Sequence, residues 1–472
     1  MIGRSKEIKE LNDLYEKNTA ELVAIYGRRR VGKTFLINET FKNKFAFKHT
    51  ALSKDENEDL NNDIQLDYFY KSLISYGLKT EKKPKNWFDA FFLLQKLLME
   101  KDQSERLVVF FDEFPWLDSK KSFFIKAFEG FWNGFGCAQN NLMVIVCGSA
   151  NSWIQNNLIN NHSGLYGRVT YEIKLSPFKL KECEEFLSAN KIVMSRYDII
   201  TTYMILGGIP YYLGYLKKEL SLPQNIDNLF FSHNAILKLE FDRLFQSCFD
   251  KPEYIKKIVL ALNDKRIGFT RQEIADKLKI SSGGDLTNAL NALISSEFIR
   301  KYMPFGNKPK TNYYQLIDPF CIFYLKFINN KNMDENFFSN SNINQTLNVW
   351  RGFAFENLCI NHIDKIKDVL GIKGVITTTS SWYYKDEEEN GQIDLLISRK
   401  DNVINLCEIK FYQDNFKVDK NYFLKMNRRD NTLREFIPKK SSIHNTLITT
   451  YGLDKNEYSS IFQNVITIDD LF

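Results

Sequence analysis

Eight consecutive residues, Gly27-Arg28-Arg29-Arg30-Val31-Gly32-Lys33-Thr34, have the types and spacing to hold a chain of phosphates. Gly27 and Gly32 let the backbone turn tightly and bring N–H groups onto phosphate oxygens that a Cβ would obstruct. Lys33 can bridge β- and γ-phosphates, and Thr34 can offer its hydroxyl to Mg²⁺. Arg28, Arg29, Arg30, Val31 and Phe35 complete the candidate contacts around the nucleotide. The apolar run Leu22-Val23-Ala24-Ile25-Tyr26 fits a buried strand ahead of the loop, and residues 34–40 can start a helix whose N-terminus adds partial positive charge. Context and spelling together point to ATP.

A partner motif lies about 80 residues on. Leu107-Val108-Val109-Phe110-Phe111-Asp112-Glu113 reads as a strand buried on both faces and closed by two acids. Asp112 is placed to hold Mg²⁺ and Glu113 to polarise an attacking water, although an acidic pair after a strand can also merely begin a helix. The apolar run Leu142-Met143-Val144-Ile145-Val146-Cys147 then closes on Gly148-Ser149-Ala150-Asn151. Where an extra strand separates the two motif strands, its end carries a polar residue aimed at the γ-phosphate or the water. Ser149 is the first candidate and Asn151 the second; capping the next helix is the alternative for either. Arg168, ahead of a strand at 169–175, can neutralise transition-state charge in cis or across a subunit interface, or can form a structural ion pair.

A second set of acids lies near the C-terminus, in Gly391-Gln392-Ile393-Asp394 and Cys407-Glu408-Ile409-Lys410. Glu408 and Lys410 share one face of a strand, and Asp394 on the neighbouring strand can meet them. Two carboxylates can hold Mg²⁺ and a lysine can position water, the chemistry of phosphodiester cleavage. The competing reading has Lys410 neutralising two buried acids in a structural network.

The elements that must position these groups divide the 472 residues into several domains, where length alone suggests roughly three. Hydrophobic residues make up 44% and charged residues 26%, ordinary for a folded chain with several cores. No apolar signal region opens the sequence and no run approaches the roughly 18 residues of a membrane span, so a cytoplasmic location and no membrane partner are expected. The seven cysteines are scattered, without a C-x-x-C pair, and read as buried free thiols; the five dispersed histidines give a zinc site little support. Residues 53–63, acidic and rich in Asn, read as a loop before helices at about 64–76 and 87–101. Residues 177–190 and 197–220 read as lid helices broken at Gly207-Gly208 and Pro210.

Thr270-Arg271-Gln272-Glu273 is a capping box opening a helix through Lys279. A turn, a helix at 285–296 and a hairpin at 298–316 complete a winged helix-turn-helix. Its second helix presents Asp285, Thr287, Asn288, Asn291 and Ser295 but no Arg or Lys, so sequence-specific reading of DNA is poorly supported. Arg300, Lys301, Lys308 and Lys310 of the hairpin can contact phosphates without regard to sequence, and residues 251–329 carry thirteen Lys and Arg against seven Asp and Glu. Nonspecific double-stranded DNA is thus a candidate partner, and a rigid connector is the alternative. Residues 329–346 read as a linker, followed by a helix at 350–370, strands at 375–380, 392–398 and 403–410, a helix at 419–436 and a strand at 445–451.

Gly3-Arg4 before a charged helix, the arginine-rich phosphate loop, Phe111-Asp112-Glu113, Gly148-Ser149, Leu165-Tyr166-Gly167-Arg168 and Gly207-Gly208-Ile209-Pro210-Tyr211 together resemble the archaeal-type ATPases, a branch of the AAA-like P-loop ATPases, over about residues 1–250. The resemblance implies a five-stranded parallel sheet, a helical lid begun at residues 207–210, and Arg4 near the nucleotide. The C-terminal segment resembles the restriction-endonuclease-like core, where Glu356 matches an acid that many members add. The expected fold is α/β: a P-loop core at 1–176, a helical lid at 177–250, a winged helix-turn-helix at 251–328 and a restriction-endonuclease-like domain at 346–472. The expected activity is ATP hydrolysis that controls a nuclease-like tail acting on DNA, with self-assembly admitted. The alternative is a nucleotide-dependent regulator or scaffold whose tail binds a partner and cuts nothing.

Overall fold

Continuous apolar runs suit strands covered on both faces, and five of them build a parallel sheet. The computed structural model describes residues 2–472 apart from 54–57, 80–81, 120, 161–163, 250, 307–310, 330–332, 341–344 and 386–389. The chain packs as two compact units, Met1–Pro177 and Phe178–Phe472.

In the first unit the strands are β1 (Glu21–Tyr26), β2 (Phe45–Thr50), β3 (Leu107–Asp112), β4 (Leu142–Gly148) and β5 (Tyr171–Lys174). Their order is β2-β3-β4-β1-β5, and every neighbouring pair is parallel. β4 therefore separates β1 from β3, the arrangement the apolar run at 142–147 suggested. All residues of β1, β3 and β4 are buried. The helix Trp87–Met99 is capped by Asn86, whose side chain accepts from the Asp89 N–H, and it buries Ala90, Leu94, Leu97 and Leu98 in an aromatic-rich core with Phe69, Phe111 and Phe128. The loop expected at 53–63 is shorter: a helix, Glu58–Ser75, begins within it.

The second unit begins with the helices Leu180–Ala189, Arg196–Leu206 and Pro210–Leu213, with Gly207 and Gly208 at φ 72° and 65° between the last two. Next come the helices Pro252–Asn263, Arg271–Leu278 and Gly284–Ser295 with β6 (Phe269–Thr270), β7 (Ile299–Tyr302) and β8 (Tyr313–Leu316), an antiparallel sheet ordered β6-β8-β7. The capping box forms, Thr270 Oγ1 accepting from the Glu273 N–H and Glu273 from the Thr270 N–H. Leu286, Ala289, Leu290 and Leu293 are the buried face of the helix Gly284–Ser295, as their spacing requires. Lys308 and Lys310 lie outside the described residues.

The C-terminal sheet is mixed: β9 (Thr377–Lys385), β10 (Asn390–Arg399), β11 (Val403–Lys410), β12 (Ser442–Thr449) and β13 (Asn464–Ile466), in the order β13-β12-β11-β10-β9. β9, β10 and β11 pair antiparallel, and β11, β12 and β13 pair parallel. The long helix expected at 350–370 is two, Gln345–Asn361 and Ile363–Val369. They part at buried His362, whose Nε2 accepts the Leu180 N–H at 3.3 Å and so completes the start of the helix Leu180–Ala189. Burial and the nearby Lys179 ammonium hold that imidazole down to about 3, which keeps it neutral for this acceptor role. The linker expected at 329–346 is anchored in part: Asp227 accepts from the Phe338 and Ser339 N–H groups at 2.8 and 3.0 Å, and Phe338 is buried.

Candidate nucleotide site and a second acidic site

The phosphate loop leaves the C-terminal end of β1 and runs into the helix Lys33–Thr40. Gly27 has φ 153°, and a Cβ there would strike the Leu175 carbonyl oxygen; Gly32 has φ 91°, the left-handed region that suits glycine. Buried Asn151 accepts the Gly27 N–H at 2.8 Å, and buried Arg4 donates through Nη2 to the carbonyls of Val31 at 3.2 Å and Ser176 at 2.7 Å. Both ends of the loop are thus fixed by side chains from elsewhere in the unit. Lys33 folds back across it, Nζ donating to the Gly27 and Arg28 carbonyls at 2.9 and 3.0 Å. Arg28 and Val31 are buried, Arg29 and Arg30 half-buried, and Phe35 exposed on the first helical turn.

The acids at the end of β3 meet this loop. Thr34 Oγ1 donates to the Asp112 carboxylate, 3.1 Å from Oδ1 and 2.9 Å from Oδ2. Burial pushes the Asp112 carboxyl above its ordinary value and the adjacent Glu113 pushes it further, against the Thr34 hydroxyl and the Lys33 ammonium. Glu113 holds a left-handed backbone at φ 48° and accepts at one oxygen from Ser149 Oγ at 3.0 Å and Ser149 N at 3.3 Å. A hydroxyl facing a buried carboxylate whose charge is poorly compensated is an oxygen donor pair that fits a hard divalent cation such as Mg²⁺.

Among the predicted residues, Lys33, Thr34, Asp112, Glu113, Ser149 and the loop lie together. Asn151, the second candidate for the γ-phosphate, accepts the Gly27 N–H, and Arg4 donates to the backbone of the loop at Val31 and to that of Ser176. Arg168 is not brought to this end. The Thr170 N–H bonds the Leu22 carbonyl at 2.9 Å, so Arg168 sits at the start of β5, level with the start of β1. At ~3.3 Å per residue, roughly 20 Å of strand separates that level from Gly27, beyond the reach of an arginine in the same chain. A residue just ahead of a parallel strand lies at the edge opposite the loops that follow the strands, so its place in the order of elements already carried that information.

The C-terminal acids are also brought together, in a different environment. The register pairs Leu395 with Cys407, the residues next to Asp394 and Glu408. Lys410 Nζ lies 2.7 Å from Glu408 Oε1, and Glu408 Oε2 accepts at 2.5 Å from buried Arg429 on the helix Lys420–Phe436. Burial alone would raise the Glu408 carboxyl; Arg429 and Lys410 outweigh it and hold it down to about 2. Asp394 Oδ1 accepts from Arg266 at 2.9 Å, and the same guanidinium pairs with Glu356. Burial pushes Asp394 up, which Arg266 and Gln392 offset only in part. Among the described residues no group of three or more His, Cys, Asp or Glu is arranged for a metal ion. Glu408 has one oxygen on Lys410 and the other on Arg429, and Asp394 Oδ1 takes Arg266, so cations of the chain itself engage the pair expected to hold Mg²⁺. The arginines responsible were missed: Arg266 lies 128 residues from Asp394, and nothing local marks it.

A parallel sheet with a phosphate loop after β1, an acidic pair after β3 and β4 between them defines a P-loop ATPase domain. Residues 1–216 match the family described as an ATPase domain predominantly from Archaea, and residues 320–422 match a family of archaeal and bacterial proteins of unknown function. The chain thus carries an archaeal-type P-loop ATPase domain followed by a domain of that second family. It is similar to an uncharacterised protein of Methanocaldococcus jannaschii, at 26% identity over 87% of each chain. An uncharacterised ATP-binding protein of that organism is 44% identical over 9% of this chain and 73% of its own. Among solved structures, a Walker-type ATPase of Pyrococcus abyssi is similar at TM-score 0.45 and 18% identity, over 69% of this chain and 96% of that one. Among the described residues no helix is long and apolar enough to cross a membrane.

Proposed function

We propose that the first unit binds and hydrolyses ATP with Mg²⁺ and that its nucleotide state is signalled to the rest of the chain. The carrying observation is the meeting of Lys33, Thr34, Asp112, Glu113 and Ser149 around one loop. Lys33 and the loop N–H groups of residues 28–34 hold the phosphates. Mg²⁺, when bound by Thr34 and Asp112, supplies charge neutralisation on them. Glu113 orients the attacking water and draws on its proton, and Ser149 fixes the carboxylate that does so. Arg168 can serve a nucleotide only across an interface between copies, which makes a homo-oligomer part of this reading. The working division is 1–176, 177–250, 251–328 and 346–472. In a phosphate-release assay, Glu113→Gln should keep ATP affinity and lower turnover by about 10²-fold or more. Unchanged turnover would remove Glu113 from the chemistry.

For the tail, the arginine and lysine pairings of Glu356, Asp394 and Glu408 favour the regulator reading, a ligand- or partner-binding module that does not cut. The nuclease reading, with Glu356, Asp394, Glu408 and Lys410 cleaving DNA held nonspecifically by the basic hairpin, stands second. Lys301 is exposed there, whereas Arg300 turns to Gln315. Incubation with linear and supercoiled DNA, Mg²⁺ and ATP beside Asp394→Ala separates the two: cleavage lost in the variant establishes a nuclease, and intact DNA in both supports the binding module.

A further inference from the structure

The second unit holds a cavity of about 300 Å³ between the segment of Arg266 and Arg300 and the strands that carry Asp394 and Tyr383. Nearly every charge in its wall is matched. Arg266 pairs with Glu356 and Asp394, Lys265 with Glu273 at 3.0 Å, Asp264 with Lys277 at 2.8 Å, and Lys326 is also engaged. Arg300 differs. Its Nε donates to Gln315 Oε1 at 2.6 Å, and Gln315 is itself oriented by donating to the Arg266 carbonyl at 2.8 Å. The guanidinium lies 4.4 Å above the centre of the Tyr302 ring. These contacts fix its plane, yet its two Nη groups have no hydrogen-bond or ion-pair partner among the described residues. Burial pushes this guanidinium below its ordinary range, against Tyr302, Tyr383 and Asp394, while the side chain stays half-buried and so open to the cavity.

A fixed guanidinium with both Nη groups available presents parallel donors that match two oxygens of one phosphate. The cavity is larger than an inorganic anion needs and lies at the lower end of the range for small organic ligands. Aromatic side chains of Tyr302, Trp350, Phe353 and Tyr383 contribute to its lining, surfaces suited to a planar body. Trp350 Nε1 adds a buried donor that has no acceptor among the described residues. We propose that this cavity binds a nucleoside monophosphate, either free or as the phosphorylated end of a strand, with the phosphate on Arg300 and the base against the aromatic wall. The inference stands apart from the ATPase reading, because it uses none of the P-loop residues.

The test uses the full chain with ADP at saturation, so that the P-loop does not compete. Free dAMP and deoxyadenosine are titrated by calorimetry. A fluorescent single strand of about twelve nucleotides, with and without a 5′-phosphate, is followed by anisotropy. The phosphorylated member of at least one pair should bind about tenfold or more tighter. That preference should vanish in Arg300→Gln and shrink strongly in Arg300→Lys, which keeps the charge and loses the fork. A preference for dAMP with none for the phosphorylated strand identifies the free nucleotide as the ligand; the converse identifies the strand end. Should Arg300→Gln not fold, the lysine variant and the wild-type preference still decide. No phosphate preference in the wild type, or one retained in full by either folded variant, overturns the proposal.

Discussion

Two pairs of carboxylates stand on the sheets of this chain, one at the end of β3 and one within β10 and β11, and they are treated in opposite ways. Asp112 and Glu113 face hydroxyls: Thr34 bonds one and Ser149 the other, while the nearby Lys33 Nζ donates to backbone carbonyls. Asp394 and Glu408 face cations, Arg266 on one and Arg429 with Lys410 on the other. A carboxylate left on hydroxyls retains affinity for an incoming cation, whereas one already paired has spent it within the fold. Spelling alone does not separate the cases. On the proposed reading the first pair is a site that takes a ligand, and the second is closer to a structural network beside a cavity.

Removing a partner should expose that difference. Arg429 is buried on Glu408, so Arg429→Ala should destabilise the second unit by about 3–5 kcal/mol, the cost of an unpaired buried charge. Chemical denaturation checks it, and a loss under about 1 kcal/mol would place Glu408 nearer the open condition of Asp112. A second contrast lies in pH. Glu408 has a folded pKa of about 2 against an ordinary 4.5, so its contribution is fully present above roughly pH 5 and is lost as pH falls towards 2. Asp112 is shifted upward, so it opposes folding at neutral pH and that opposition fades as pH falls. Thermal melts of wild type and Glu408→Gln should therefore converge as pH drops from about 5 to about 2; a gap of constant size would mean that the charge of Glu408 is not what Arg429 stabilises. The smallest effect belongs to Asp112→Asn, which should leave ligand-free stability within about 1 kcal/mol of wild type or slightly raise it. A large loss would show that Asp112 is compensated after all.

What could be read from the chain follows from how local each feature is. The phosphate loop and the Asp112-Glu113 pair are contiguous, and the apolar runs around them admit few other structures, so the parallel sheet with its inserted strand was legible. The Thr270-Glu273 capping box was legible for the same reason. Pairings over long separations were not: neither Arg266 nor Arg429 carries a mark of the acid it meets, and Lys410 was the visible partner of Glu408 only because it sits two residues away. Averages misled at residues 329–346, where abundant Asn and Ser concealed Phe338, which is buried. Arg300 was read as a phosphate contact on an exposed hairpin; the strand register and Gln315 turn it into a cavity wall instead.

The central contrast requires that the first site take up a nucleotide, and calorimetric titration of ATP into wild type and Lys33→Ala tests this most directly. Loss of a charge-assisted contact to the phosphates should weaken binding by about 100-fold while the fold is retained. Equal affinity in the two proteins, or no ATP binding by the wild type, would contradict the assignment of this loop as the nucleotide site.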